Sequence, residues 1–102
     1  MEQKLAVGTC PLCDRTYTEE NNRTKHHIVP CYWNRLNIYK SKKNVTVHAC
    51  TECHEKEFNH LYPMRLDEPW TRAECVMKWI DFCYKKGKEP LVIYPQLSQC
   101  FT

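Results

Sequence analysis

Two short segments rich in β-branched residues are predicted to form strands. The first, residues 25–29, stops at Pro30, which has no backbone N–H to donate to a strand ladder. The second, residues 44–48, alternates between apolar and polar side chains, a pattern typical of a strand with one buried face. A further short strand is predicted at residues 5–7, within the N-terminal lead-in.

Proline positions delimit the other elements of the second half of the chain. A helix is predicted to begin at residue 50 or 51 and to run to about Tyr62, because Pro63 cannot continue it. Residues 90–94 are predicted to add a short strand, and little order is expected beyond Pro95.

A second helix, at about residues 71–87, has clearer limits. Thr71 and Glu74 have the spacing of a capping box, and Gly87 is expected to end the helix because glycine readily adopts the left-handed conformation. Its cysteines are expected to be small core residues. The apolar stripe that should pack on the rest of the domain consists of Ala73, Val76, Met77, Ile80, Cys83 and Tyr84, flanked by Trp79 and Phe82.

Length and composition limit what can hold this chain together. A chain of 102 residues corresponds to one domain at most, and its own core is marginal. Eight cysteines therefore predict a staple of disulfides or metal. The sequence shows no signal peptide or membrane span, so a cytoplasmic protein is expected, in which thiols stay reduced and bind metals. The net charge of +3 permits nucleic-acid binding without requiring it.

Four of the cysteines form two Cys-x-x-Cys pairs, which are Cys10 with Cys13 and Cys50 with Cys53. Each such turn places two sulfur atoms on one side of a metal, and two turns complete a tetrahedron. The pattern predicts a structural zinc site with four thiolate ligands and no open position.

Histidines lie between and directly after these pairs. His26 and His27 precede an Ile-Val-Pro sequence, and His54 follows the second pair. Over about residues 10–60, the order and spacing resemble those of the His-Asn-His (HNH) endonuclease family, in its zinc-knuckle branch. The resemblance implies an α+β fold: a small ββα-metal finger stapled by the four-cysteine zinc site, with the C-terminal amphipathic helix added. The whole chain, residues 1–102, would then be one nuclease domain, with the finger at about residues 8–62.

The histidine doublet is expected at the end of the first strand, where adjacent side chains point to opposite faces. One imidazole can therefore point to a metal and the other to a water molecule. By resemblance, His26 and His54 bind a catalytic divalent metal such as Mg²⁺ or Mn²⁺, and His27 is the general base. A histidine base suits a hydrolase near neutral pH, because its unperturbed pKa is about 6.5.

The third metal ligand is left open by the sequence. Many family members have a histidine one helical turn after the first, but Phe58 occupies that position here. His60, Glu57 and water are the alternatives, with His60 ranked slightly first. Glu57 shares the face of His54, whereas His60 requires the helix to end or loosen first.

The asparagine of the family would hold the general base in its productive orientation. Asn44 is the best match, with Asn34 and Asn37 as alternatives in the preceding loop.

Residues 32–43, called the basic loop below, carry four positive charges and no negative charge, and are predicted to contact DNA phosphates. The basic residues are Arg35, Lys40, Lys42 and Lys43.

The sequence thus predicts an HNH endonuclease that hydrolyses DNA, of a kind typical of a phage or mobile element acting in the host cytoplasm. One finger has one active site, so a monomer should nick, and a double-strand cut would need a homodimer or two binding events. The alternative is a zinc-binding adaptor without catalytic activity, which holds nucleic acid or a protein partner.

Overall fold

The computed structural model describes residues 5–29, 45–65 and 67–101, which form a small mixed α+β fold. Strand β1 (Arg23–His27) pairs in antiparallel orientation with strand β2 (Thr46–Cys50). The register places Arg23 opposite Cys50 and His27 opposite Thr46. The second cysteine pair therefore begins beside the start of β1, and the histidine doublet lies at the other end of the sheet. No helix in these ranges has the length and apolar character to cross a membrane.

Both predicted strands are present, but β1 begins and ends two residues earlier than expected, and β2 begins and ends two residues later. The prediction that the doublet ends the first strand is confirmed. The strand predicted at residues 5–7 is wrong. There the backbone N–H of Ala6 donates to the Asn22 side chain at 2.9 Å, so a side chain takes the place of a neighbouring strand.

The predicted first helix is continuous from Glu52 to Leu61. It consists of the π-helical segment α1 (Glu52–Phe58) and the α-helical turn α2 (Asn59–Leu61). A π-helix bonds each residue to the fifth residue along the chain, whereas an α-helix bonds it to the fourth. The side chains that share one face of α1 are therefore not the ones that would share a face in the α-helix that the sequence predicted.

Helix α3 (Arg72–Lys85) has both predicted end signals. The backbone N–H of Glu74 donates to the Thr71 hydroxyl at 3.1 Å, and the Glu74 carboxylate accepts the Thr71 N–H at 2.9 Å. At the other end Gly87 has a φ of 78°, and the N–H of Lys88 donates to the Cys83 carbonyl at 3.0 Å. This is the Schellman arrangement, which satisfies the carbonyls of the last turn.

The buried face of α3 differs from the predicted one. Trp79 and Phe82, expected at its edges, are 0% and 1% exposed, whereas Met77 and Tyr84 are 54% and 56% exposed. Trp79 lies at the centre of the core, with its ring centroid 4.9 Å from that of Phe58. Burying the two large aromatic rings removes more apolar surface from water than burying Met77 and Tyr84 would. Cys75 and Cys83 are buried, as predicted.

The C-terminal tail corrects two further predictions. Residues 90–93 form a helix, α4 (Pro90–Ile93), where a strand was expected, with the proline in its first turn. Beyond it, Pro95–Phe101 is an ordered 3₁₀ helix. Leu97 is fully buried, and the Tyr94 hydroxyl donates to the His48 carbonyl at 2.6 Å. These long-range contacts order a segment that has no strong local pattern.

Candidate metal sites

The four cysteines of the two pairs lie together, with all four Sγ atoms within 4.8 Å of one another. Tetrahedral zinc with Zn–S distances of about 2.3 Å requires sulfur atoms about 3.8 Å apart. The distance between Cys13 Sγ and Cys50 Sγ is 3.7 Å. The cluster can therefore hold a metal such as zinc.

Local turns produce this convergence. Cys10 and Cys13 belong to a turn that the N–H of Asp14 closes by donating to the Cys10 carbonyl at 2.8 Å. Asp14 itself has a φ of 63°, in the left-handed region that ends such turns. Cys50 is the last residue of β2, and Cys53 lies in the first turn of α1.

Hydrogen bonds stabilise negative charge on the cluster. The backbone N–H of Cys50 donates to Cys10 Sγ at 3.3 Å, and Arg15 Nε donates to Cys13 Sγ at 3.2 Å. A hydrogen bond with the Cys53 thiol lowers the pKa of Cys10 to about 4, whereas burial raises the pKa of Cys50. A bound cation would offset the charge of the buried thiolates. Four protein ligands leave no open position, so such a site stabilises the fold and performs no chemistry.

The imidazoles of His26 and His54 form a second candidate site. His26 Nδ1 lies 3.1 Å from His54 Nε2. Two imidazole nitrogens bound to one metal at about 2.0–2.1 Å would lie about 3.0 Å apart at a right angle, and about 3.4 Å apart in a tetrahedron. The observed distance falls within this range, so the spacing of the two nitrogens matches that of two ligands of one metal ion, and it matches a hydrogen bond between the rings equally well.

Thr24 orients His54, which the sequence alone did not indicate. The Thr24 hydroxyl donates its one hydrogen to the Ala49 carbonyl at 2.9 Å, and it lies 2.8 Å from His54 Nδ1. It must therefore accept a hydrogen bond from His54 Nδ1–H, which leaves the lone pair of Nε2 facing His26. Thr24 lies two residues before His26 on β1 and thus on the same face of the strand.

His26 is enclosed by aromatic rings. Its ring stacks on Trp79 at a centroid distance of 4.4 Å and contacts Phe58 at 5.1 Å. Burial lowers the pKa of His26 to about 3 and also lowers the pKa of His54. Both rings are therefore neutral at pH 7, the form that binds metals. Among the described residues, the buried His26 Nε2 and Trp79 Nε1 have no hydrogen-bond partner.

An open pocket of about 310 Å³ lies beside this pair. His27 lines it together with His26 and His54, so the structure brings the three histidines of the motif to one place. His27 is half-buried at the end of β1.

The candidates for a third metal ligand are arranged differently from the expectation. His60 is exposed and is not among the residues that line the pocket, and Glu57 pairs with Lys86 Nζ at 2.7 Å. Asn59, which was not considered from the sequence, does line the pocket. It is the fifth residue after His54, the position that the π-helical register aligns with it. A π-helix is rare and is not readily predicted from a sequence pattern.

Several predicted site residues lie outside the described part of the chain. These are Asn44 with its alternatives Asn34 and Asn37, and the basic-loop residues Arg35, Lys40, Lys42 and Lys43. Their assignments stay predictions.

Comparison with known proteins gave no match to a protein family, to a curated protein or to a solved structure. The case for a function therefore rests on the residues of this chain.

Proposed function

We propose that the protein is a metal-dependent HNH endonuclease that hydrolyses DNA phosphodiester bonds on a ββα-metal finger. The observation that carries the proposal is the 3.1 Å approach of the His26 and His54 imidazoles in a pocket that His27 also lines. Strand β1 supplies His26 and His27, α1 supplies His54, and β2 lies between them in the chain, which is the element order of such a finger.

His26 and His54 would hold the divalent metal through His26 Nδ1 and His54 Nε2. Bound there, Mg²⁺ or Mn²⁺ would stabilise the charge that develops on the scissile phosphate and on the leaving 3′ oxygen. His27 accepts the proton of the attacking water, and Asn44 orients its imidazole. Thr24 holds His54 in the tautomer that presents Nε2 to the site.

The cysteine cluster supports this arrangement mechanically. His54 directly follows Cys53, so a zinc ion bound by Cys10, Cys13, Cys50 and Cys53 fixes the start of α1 against β2. The second site would then depend on the first for the position of His54. The DNA partner would contact the basic loop, and the monomer would nick one strand.

A second candidate is a zinc-binding adaptor without catalytic activity, for nucleic acid or a protein. Phe58 favours it, because this residue stands where the family has a metal ligand and is only 3% exposed. The direct contact between His26 and His54 favours it too, because a hydrogen bond between neutral rings also accounts for 3.1 Å.

Plasmid nicking by the purified protein distinguishes the two candidates. With Mg²⁺ or Mn²⁺ the wild-type protein should nick, and EDTA should stop it. His27→Ala should lower the rate by about 10² to 10⁴ while metal binding persists, because only the proton acceptor is lost. His26→Ala should instead weaken the catalytic metal, so that a raised metal concentration restores part of the activity.

His60→Ala is the matched control, because His60 is exposed and does not line the pocket. It should nick like the wild-type protein. Full activity in both His26→Ala and His27→Ala would remove the nuclease assignment of the doublet and leave the adaptor as the better proposal. Rescue of His27→Ala by metal, but not of His26→Ala, would exchange their two roles.

A further inference from the structure

The pocket that contains the histidines is also lined by large apolar side chains. Phe58, Tyr62, Met64 and Trp70 are among its lining residues, and Met64 is 45% exposed. Tyr62 and Trp70 are half-buried. None of these side chains is needed to hold the metal or to activate water. We call Tyr62, Met64 and Trp70 the apolar wall.

The charge of this pocket favours an anionic ligand. Its described lining residues include one lysine, Lys25, and no carboxylate, while His26 and His54 are neutral at pH 7. Two further cations border the apolar wall. Lys78 Nζ lies 4.7 Å from the centroid of the Trp70 ring, and Lys85 Nζ lies 5.2 Å from that of Tyr62. The Asp81 carboxylate pairs with Lys85, which leaves Lys25 and Lys78. A ligand that joins a negative charge to a flat apolar group matches these two cations beside the aromatic rings.

The Tyr62 ring of the apolar wall is also held in place before any ligand binds. The Tyr62 hydroxyl donates to the Asp81 carboxylate and accepts a hydrogen bond from Lys85 Nζ at 3.1 Å. Lys85 and Asp81 form an ion pair at 3.1 Å. A ring fixed in this way loses little conformational entropy when a ligand stacks on it.

We propose that the apolar wall stacks one unpaired base next to the scissile phosphate, so that the substrate class is DNA whose bases are unpaired at the cleavage site. This inference rests on the proposed function, because the metal that His26 and His54 would hold is what places the scissile phosphate beside the apolar wall. The pocket volume of about 310 Å³ lies within the range of small-molecule sites. A base inside a duplex is stacked between its neighbours and cannot enter, whereas an unpaired base can lie flat on an aromatic side chain.

Binding of a labelled oligonucleotide, measured by fluorescence anisotropy without added divalent metal, tests the proposal. The probes are a single strand, the blunt duplex of the same sequence, and the corresponding RNA strand. Trp70→Ala should weaken binding of the single DNA strand by about 5-fold to 160-fold, the effect of losing one stacked base, and should leave duplex binding unchanged. Trp70→Phe should retain most of the affinity, because a flat ring remains.

Phe101→Ala is the matched control, because Phe101 is 59% exposed and lines a different groove. It should bind all probes like the wild-type protein. If Trp70→Ala lost the same affinity for the single strand and the duplex, or lost none for either, the proposal would be overturned. Tighter binding of RNA that depends on Trp70 would also overturn the assignment to DNA.

A second measurement needs no variant. Each base of the single strand is replaced in turn by an abasic site, and the wild-type protein should lose affinity at one position by a similar factor. A uniform response along the strand would overturn the proposal even if Trp70→Ala did not fold. If the protein stacks a base but does not cleave DNA, base stacking stands and the proposed nuclease function fails. If it cleaves DNA but its binding does not depend on Trp70, the nuclease function stands and base stacking by the apolar wall fails.

Discussion

The pH dependence of stability tests the burial of His26. Burial lowers the pKa of this imidazole to about 3, from about 6.5 in an unfolded chain. Between these two values the unfolded chain binds a proton that the folded protein does not bind. The free energy of unfolding therefore falls as the pH falls through 6.5, and continues to fall until about pH 3. Between pH 7 and pH 5 this one group should remove about 2 kcal/mol.

Urea unfolding followed by tryptophan fluorescence measures this loss at pH 7, 6 and 5, without added divalent metal. His26→Phe removes the titrating group and retains an aromatic ring against Trp79. The pH dependence of the four-cysteine cluster is common to both proteins. The variant should therefore lose about 2 kcal/mol less than the wild-type protein between pH 7 and pH 5. His60→Asn, at an exposed position, should retain the wild-type slope.

Equal slopes for the wild-type protein and His26→Phe would refute the reasoning. They would mean that the His26 ring is solvated or charged in the folded protein, which contradicts its enclosure by Trp79 and Phe58.

Three further predictions follow from the other parts of the structure. Cys53→Ser should lose one tightly bound zinc and unfold, because the free energy of metal binding at this site is also folding free energy. Cys83 is buried outside the cluster, so Cys83→Ala should keep the zinc. Metal analysis with circular dichroism checks this, and a folded wild-type protein without zinc under reducing conditions would contradict it. Leu97→Ala should cost about 2–5 kcal/mol in urea unfolding, and a negligible change would contradict the order of the C-terminal 3₁₀ helix. Neutralising the three lysines of the basic loop should weaken DNA binding and flatten its salt dependence, because fewer counterions are released. Turnover at saturating DNA should change little. An unchanged slope of affinity against salt concentration would locate the DNA surface elsewhere.

The features that the sequence determined are local in the chain. The two Cys-x-x-Cys turns and the capping box of α3 depend on residues within four positions of each other, and each is present as predicted. At each of these places, steric limits or hydrogen bonds between near neighbours select one conformation.

The features that the tertiary structure decided depend on contacts between distant residues. The choice of Trp79 and Phe82 as the buried face of α3 follows from the rings and strands that surround them, because several faces of that helix carry apolar residues. Leu97 orders the tail only because the core leaves a place for it. The orientation of His54 by Thr24 and the position of Asn59 at the pocket require β1 and a π-helical α1 to be packed together. No pattern along the chain encodes such contacts, because they join residues about 30 positions apart, and only the folded protein brings them within hydrogen-bond distance.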